Sequence, residues 1–321
     1  MAPPDPNIPY ATVAIIMRTK QRPLLLRRAL GDVTRQSYQA WQLVILNDGG
    51  DAAGVDQLVA EHADGLAGRV TVLHNEESVG KEAGSNQAIQ ASSSAYIGIH
   101  DDDDSWHPDF LARTVAHLEG EPDAGVAVRT EIVWEEVAGE SIVELGRETF
   151  GPDIHEFTLF ELIRHNRVVP ISLLYRRSVH REIGYYREDL AEVGDWEFNL
   201  RLAAGHRLGF LADQPLAFWH QRRDQDGPLG NSVISGADLH RKFDLLVRNE
   251  ALQAHVQGEG LGGLLYLTKY LDRRHGEVLD LLREQNDRIR VMEEAISDAS
   301  LVSLLRRRYR RVKGRFVDGR P

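Results

Sequence analysis

Residues 96–111 have the sequence YIGIHDDDDSWHPDFL, in which a short apolar segment leads directly into four consecutive aspartates. Tyr96–Ile99 is typical of a buried strand, and Pro108 opens a predicted helix. The run Asp101–Asp104 therefore lies between the end of a strand and the start of a helix. The same succession of an apolar strand and a helix recurs upstream, and its repetition predicts the fold.

Three further apolar, β-branched segments precede this stretch, at 12–17, 42–46 and 70–73. Predicted helices alternate with the strands, at 23–33, 55–61 and 81–91. Such alternation predicts an α/β fold with a parallel, doubly wound sheet, in which ligands bind at the carboxyl ends of the strands. Polar clusters follow three of the four strands, so we expect one shared site built from residues 18–22, 47–51 and 100–104.

The pattern changes after about residue 124. A hairpin is predicted around Ala138-Gly139, and two short strands are predicted at 208–211 and 216–219. Further helices are predicted at 156–164 and 195–203, and almost everything from Asp238 onward is helical. We place a boundary within 227–236, which predicts three segments: a disordered 1–9, a main domain at 10–230 and a helical C-terminal region at 231–321.

Composition excludes several classes of protein. Apolar residues are 42% and charged residues 27% of the 321, an ordinary globular balance. The absence of cysteine excludes disulfides, thiolate nucleophiles and cysteine zinc sites. The net charge of −11 argues against nucleic acid as a partner. Because no signal peptide or spanning segment is recognisable, we expect a cytoplasmic protein, or one bound to the inner face of the cell membrane.

The C-terminal tail carries the opposite charge. Residues 301–321 contain eight Lys or Arg and one acid, so this segment is +7. Large apolar residues such as Leu304, Tyr309 and Phe316 interleave with the arginines, a composition typical of an interfacial helix on anionic lipid. A solvated basic tail or an oligomer contact explains the same pattern, and a helical apolar stripe within 278–296 is consistent with a homo-oligomer.

The acidic run has two interpretations. Residues i and i+2 of an extended chain face the same way, so Asp101 with Asp103, or Asp102 with Asp104, can reach one ion. Hard cations such as Mn²⁺ or Mg²⁺ take oxygen ligands and share them with phosphates. The alternative is a solvated acidic loop before the helix at Pro108.

Other polar residues are candidates for nucleotide binding and catalysis. Asp48 accepts hydrogen bonds from a nucleoside or is a plain turn residue. Asp195 is a general base, or only an acid that favours a helix N-terminus. His220 ends an apolar strand as a metal ligand or a structural residue. Three others contact the base or phosphates of a nucleotide, or lie on the surface: Thr19, Arg22 and Lys81.

Five motifs, in this order, resemble family 2 glycosyltransferases of the GT-A fold. They are VAIIMRTKQRPLLLRRAL, WQLVILNDGGD, VGKEAGSNQAI, YIGIHDDDDSWHPDFL, and VGDWEFNLRL followed by PLAFWHQR. The resemblance covers about Tyr10 to Arg223. It implies an inverting transfer from a nucleotide-sugar donor, with a divalent metal.

The resemblance also implies roles for individual residues. Asp101 and Asp103 are the acids of the Asp-x-Asp motif, with Asp103 on the metal and His220 as a third ligand. Asp48 and Thr19 hold the nucleoside, and Asp195 is the catalytic base. Ser85 stands where an arginine often precedes the asparagine, so Lys81 takes over its phosphate contact. The remaining nucleotide contacts are Asn86, Asp101 and Asp102; Glu192 and Glu197 are alternatives to Asp195.

The expected function is therefore transfer of a sugar from a UDP- or dTDP-linked donor to a saccharide or lipid-linked acceptor, in cell-surface polysaccharide synthesis. The alternative is a non-catalytic nucleotide-binding or scaffold protein with the same fold. Acids at Asp48, Asp101, Asp103 and Asp195 argue against that alternative. Nucleotidyl transfer is set aside because the loop MRTKQRP has no glycine for a phosphate loop.

Overall fold

The computed structural model describes residues 12–139, 141–222, 237–299 and 301–317. The chain divides into two compact units between Arg248 and Asn249. The predicted disordered segment 1–9 and the predicted boundary within 227–236 lie outside the described residues, so both stay predictions.

The first half alternates strands and helices as predicted. Its elements are β1 (Val13–Thr19), α1 (Pro23–Thr34), β2 (Trp41–Asp48), α2 (Ala52–Glu61), α3 (Ala63–Leu66), β3 (Val70–Asn75), α4 (Lys81–Gln90), β4 (Tyr96–Ile99), β5 (Ser105–Trp106) and α5 (Phe110–Gly120). Pro23 occupies the first turn of α1, where its missing N–H costs no hydrogen bond.

The second half adds a hairpin and a set of short elements. They are β6 (Gly125–Ala138), β7 (Ser141–Thr149), α6 (Leu159–Arg164), β8 (Leu173–Arg176), α7 (His180–Ile183), α8 (Gly194–Gly205) and β9 (Leu208–Gln221). The predicted hairpin is confirmed. The prediction of two strands at 208–211 and 216–219 is wrong, because β9 is continuous and a register shift opposite Arg129 accommodates residues 212–214.

The described residues form a nine-stranded sheet in the order β3-β2-β1-β4-β8-β6-β9-β5, with β7 added beside β6. Strands β1 to β4 are parallel to one another, which confirms the crossover prediction. The rest of the sheet is mixed: β8 is antiparallel to both β4 and β6, whereas β9 is parallel to β6. The order places β1 between β2 and β4, so the chain leaves β1 toward one edge and later returns on its other side.

Alternate residues of β1 enter two separate cores. Val13, Ile15 and Met17 pack with α1 and α5 on one face, and Ala14 and Ile16 pack with α4 and α8 on the other. Full burial on both faces explains why β1 is a continuous apolar run. The point where the chain direction switches, between β1 and β4, is where an open α/β sheet forms its ligand site.

Three helices end the described chain: α9 (Ala237–Glu259), α10 (Gly262–Ala299) and α11 (Leu301–Val317). The helical prediction for the C-terminal region is confirmed. Within the described ranges, no helix combines the length and the apolar composition needed to cross a membrane.

Candidate active site

A cavity of about 990 Å³ opens at the carboxyl ends of β1, β2 and β4. Residues at these strand ends line it, including Thr19, Asp48 and Asp101. Asp195 at the start of α8 also lines it, together with residues of the first part of α9. The three polar clusters therefore converge as the strand pattern predicts.

Asp48 organises the loop at 78–80, of which Ser78 and Gly80 line this cavity. Its Oδ1 accepts from Asn75 Nδ2 (3.0 Å) and Val79 N (2.9 Å), and its Oδ2 accepts from Ser78 Oγ (2.6 Å) and Gly80 N (3.1 Å). Burial alone would raise the pKa of Asp48, but these hydrogen bonds outweigh it and lower the pKa. The carboxylate is thus ionised, and four donors already fill its lone-pair sites.

Arginines neutralise the acidic run. Arg18 binds Asp101 with both Nε (2.7 Å) and Nη2 (2.5 Å), the strong bidentate geometry. Arg22 lies 2.9 Å from Asp102 Oδ1 and donates to Asp103 Oδ2 (3.0 Å). Burial raises the pKa of Asp102, which is fully enclosed. For Asp103, burial is outweighed by the arginine charges, which lower its pKa.

Glu135 connects the acidic run to the strand that carries His220. Its Oε2 accepts from Arg28 (2.6 Å) and contacts His220 Nδ1 (2.7 Å), and its Oε1 accepts from Arg222 (2.6 Å). Arg222 also donates to Asp103 Oδ2 (2.7 Å). Burial of Glu135 is outweighed by the hydrogen bonds from His220 and Arg28, which lower its pKa to about 2.

Whether a divalent ion fits here depends on the carboxylate oxygens that accept no hydrogen bond from the described residues. In the part of the chain that the structure describes, no three histidine or acidic side chains gather as a metal site. His220 has both ring nitrogens engaged, since Nε2 contacts Ser105 Oγ at 2.7 Å. Asp103 Oδ1 accepts no hydrogen bond from the described residues, and Asp103 lines the cavity. This donor set fits a cation that takes one or two carboxylates here and its remaining ligands from diphosphate and water.

Asp195 is the acid of α8 that faces the cavity. Its Oδ2 accepts a hydrogen bond from Asn166 Nδ2 (2.8 Å), a neutral partner. Glu192 instead binds Lys81 Nζ (2.5 Å), and Glu197 binds Arg201 in a bidentate pair. Neither glutamate lines the cavity, so the geometry favours Asp195 among the three acids.

Glu82, which the sequence patterns did not single out, also faces the cavity. Its side chain is 95% buried, and no other described residue donates a hydrogen bond to it. Burial, opposed by the charges of Lys81 and Arg18, raises the pKa of Glu82 to about 8. In sequence it resembles an ordinary acid in the first turn of a helix, which is why no local pattern identified it.

The predicted site residues divide into two groups. Those that line the cavity are Thr19, Arg22, Asp48, Lys81, Asp101, Asp103 and Asp195. Three others do not line it: Asn86 binds the backbone of Tyr186 and the Glu188 carboxylate, Asp102 is enclosed beneath the run, and His220 joins Glu135 to Ser105. The nucleotide, metal and catalytic roles of all ten residues stay predictions.

Comparison with known proteins agrees with this architecture. The family described as "Glycosyl transferase family 2" matches residues 14–184, more than half of the chain. The chain is 27% identical over 199 residues to the "uncharacterized glycosyltransferase YwdF" of Bacillus subtilis, covering 61% of this chain and 69% of that protein. It is 36% identical over 108 residues to the "putative colanic acid biosynthesis glycosyl transferase WcaA" of Escherichia coli, covering 33% of this chain and 38% of that protein.

A solved structure supports the fold. The S. aureus TarS 1–349 complex with UDP aligns with a TM-score of 0.54 at 16% identity, covering 78% of this chain and 74% of that one. At this identity the likeness shows the GT-A fold alone. The family match extends from β1 through α7, and it includes the three strand ends that form the cavity. This chain therefore belongs to glycosyltransferase family 2.

Proposed function

We propose that this chain transfers a sugar from a UDP- or dTDP-linked donor to a hydroxyl of a saccharide or lipid-linked acceptor, with inversion, in cell-surface polysaccharide synthesis. The observation that carries the proposal is Asp195. It is the acid of the α8 first turn that lines the cavity, and a neutral amide rather than a cation is its hydrogen-bond partner. A carboxylate that faces the cavity and is held by a neutral partner can accept the proton of an acceptor hydroxyl.

The proposed reaction is a single displacement. Asp195 accepts the proton of the acceptor hydroxyl while that oxygen attacks the anomeric carbon on the face opposite the diphosphate. The bond between the anomeric carbon and the diphosphate oxygen breaks, and the diphosphate leaves with the electron pair. No covalent intermediate with the enzyme forms, so the product has the inverted configuration.

Two arginines that line the cavity are suited to the diphosphate. Arg18 and Arg22 line the cavity beside the acidic run, and their guanidinium groups can bind phosphate oxygens in bidentate fashion. We propose that Asp101 and Asp103 hold Mn²⁺ or Mg²⁺ jointly with the diphosphate. Such an ion neutralises the charge that develops on the leaving group.

We also propose that α11 attaches the enzyme to an anionic membrane surface. Leu304, Leu305 and Tyr309 are more than half exposed on this helix, which carries five arginines between positions 306 and 311. Exposed apolar side chains interleaved with cations match a surface of anionic headgroups. A lipid-linked acceptor would be presented at such a surface.

A hydrolysis screen tests the function, because many glycosyltransferases slowly transfer to water. Purified protein is incubated with a panel of UDP- and dTDP-sugars in the presence of Mn²⁺ or Mg²⁺, and released nucleotide is measured. We expect turnover of at least one donor that EDTA abolishes and that Asp195→Asn reduces. Tight donor binding without turnover in the presence of acceptor extracts would favour the non-catalytic alternative.

A further inference from the structure

Glu82 is a buried acid in the cavity whose charge the protein leaves without a partner. The two nearest cations are bound to other acids, Arg18 to Asp101 and Lys81 to Glu192. Within the described chain, no other residue donates a hydrogen bond to the Glu82 carboxyl, although it is 95% buried. The Glu82 side chain lines the cavity, so a ligand that enters the cavity can supply the hydrogen bonds that the described residues do not.

The start of α8 is shaped around this carboxyl. A Cβ atom at Gly194 would lie 2.4 Å from Glu82 Cγ and 2.5 Å from Glu82 Oε1, so only glycine lets the helix approach so closely. Val193, the preceding residue, adopts a left-handed conformation with φ of 62°, which is strained for a β-branched side chain. The backbone therefore brings Asp195 next to Glu82 at the cost of local strain.

The position of Glu82 along the cavity identifies the part of the donor beside it. Asp48 holds the loop Ser78–Gly80 at the end assigned to the nucleoside, and Glu82 follows that loop by two residues. Asp195, assigned to the anomeric carbon under the proposed function, lies beside Glu82. The diphosphate is assigned to Arg18 and Arg22, so the part of the donor beside Glu82 and Asp195 is the sugar that carries the anomeric carbon.

We propose that Glu82 binds hydroxyl groups of the donor sugar and thereby helps to select which nucleotide sugar is used; this inference rests on the proposed function. Sugar hydroxyls suit the site because they both donate and accept hydrogen bonds and carry no charge. A second anion is disfavoured there by Asp195. Burial that keeps the Glu82 carboxyl largely protonated at neutral pH lets it donate as well as accept.

Calorimetry on the full chain separates the sugar from the nucleotide. The probes are the nucleotide sugar that wild type hydrolyses fastest in the screen and its free nucleoside diphosphate, each titrated into wild type, Glu82→Ala and Glu82→Gln at pH 7. We expect Glu82→Ala to weaken the nucleotide sugar roughly ten- to hundredfold. The free diphosphate should bind all three proteins alike. Glu82→Gln should bind the nucleotide sugar within about threefold of wild type, because an amide keeps one donor and one acceptor.

The outcomes distinguish the two proposals. Suppose that wild type binds nucleotide sugars and that Glu82→Ala keeps the same preference for the nucleotide sugar over the free diphosphate. This result overturns the role of Glu82 and leaves the proposed function standing. A wild type that binds none of the panel overturns the proposed function and this inference with it. Glu119→Ala, at an exposed position of α5, is the matched control and should behave as wild type in every titration. Circular dichroism confirms that each variant is folded.

Discussion

Ionisation of Glu82 should make the ligand-free protein less stable as the pH rises. The carboxyl has an ordinary pKa of 4.5 when unfolded and about 8 when folded, because burial disfavours its charged form. A raised folded pKa contributes stability that is complete below the unfolded value and is lost as the pH rises through the folded value. Between pH 4.5 and 8, each pH unit removes about 1.4 kcal/mol.

Glu82→Gln removes this titration and keeps the shape of the side chain. From pH 6 to pH 8 the wild type should lose roughly 2 kcal/mol of unfolding free energy relative to the variant, the sum expected over that part of the window. Urea denaturation of both proteins at pH 6, 7 and 8 measures the difference. Lys81, Arg18 and Asp195 surround the group in both proteins, so the comparison isolates the Glu82 carboxyl.

Glu119→Gln, an exposed substitution in α5, provides the baseline for a glutamate whose charge is solvated. The free energy of unfolding of this variant should equal that of wild type at every pH. If the wild type and Glu82→Gln lose stability in parallel between pH 6 and pH 8, the carboxyl is charged and satisfied in the folded protein. The argument that it awaits a ligand would then be refuted.

Three further predictions concern the base, the histidine and the tail. Asp195→Asn should lower kcat by roughly 10²–10⁴-fold with nearly unchanged donor affinity, because the variant lacks a general base. A normal rate would move the role to Glu192 or Glu197. NMR of the wild-type product should show inversion at the anomeric carbon. His220→Ala removes a partner of the buried Glu135 and should cost about 1–3 kcal/mol, seen as a lower Tm; a normal Tm with lost activity that excess Mn²⁺ restores would instead support a ligand role. Removing 303–321 should abolish sedimentation with anionic vesicles at low salt yet spare transfer to a soluble acceptor; equal sedimentation would leave oligomer packing as the better account of the tail.

The strand ends could be predicted from the sequence because burial on both faces leaves a local pattern. Thr19, Asp48 and Asp101 each follow an apolar run, and the parallel order of their strands brings them to one edge of the sheet. These inferences need only neighbours in sequence and the rules of parallel sheets. Asp195 differs, because its position at the start of a helix leaves Glu192 and Glu197 as alternatives and only the family resemblance selects it.

The partners of these residues could not be predicted, because they are distant in sequence. Arg222 and Asp103 are 119 positions apart, and Arg28 and Glu135 are 107 apart. No periodicity encodes such a pairing; it arises only when α1 meets β6, and when the end of β9 meets the loop after β4. His220 is a polar residue on an apolar strand, yet its contact with Glu135 depends on the pairing of β6 with β9.

The pairing of the acidic run with arginines has a consequence for cation binding. Arg18 engages both oxygens of Asp101, and Arg22 and Arg222 share one oxygen of Asp103. A cation that arrives alone meets carboxylates whose charge these guanidinium groups already balance, whereas a diphosphate offers Arg18 and Arg22 new acceptors as it enters. The two ligands should therefore bind cooperatively, and linkage requires each to strengthen the other by the same factor.

Calorimetry with Mn²⁺ should show weak binding to the free protein and binding at least tenfold tighter with saturating UDP, a coupling of about 1.4 kcal/mol. Asp103→Ala should remove that gain, and equal Mn²⁺ affinity with and without UDP would show that the arginines do not control access to the carboxylates.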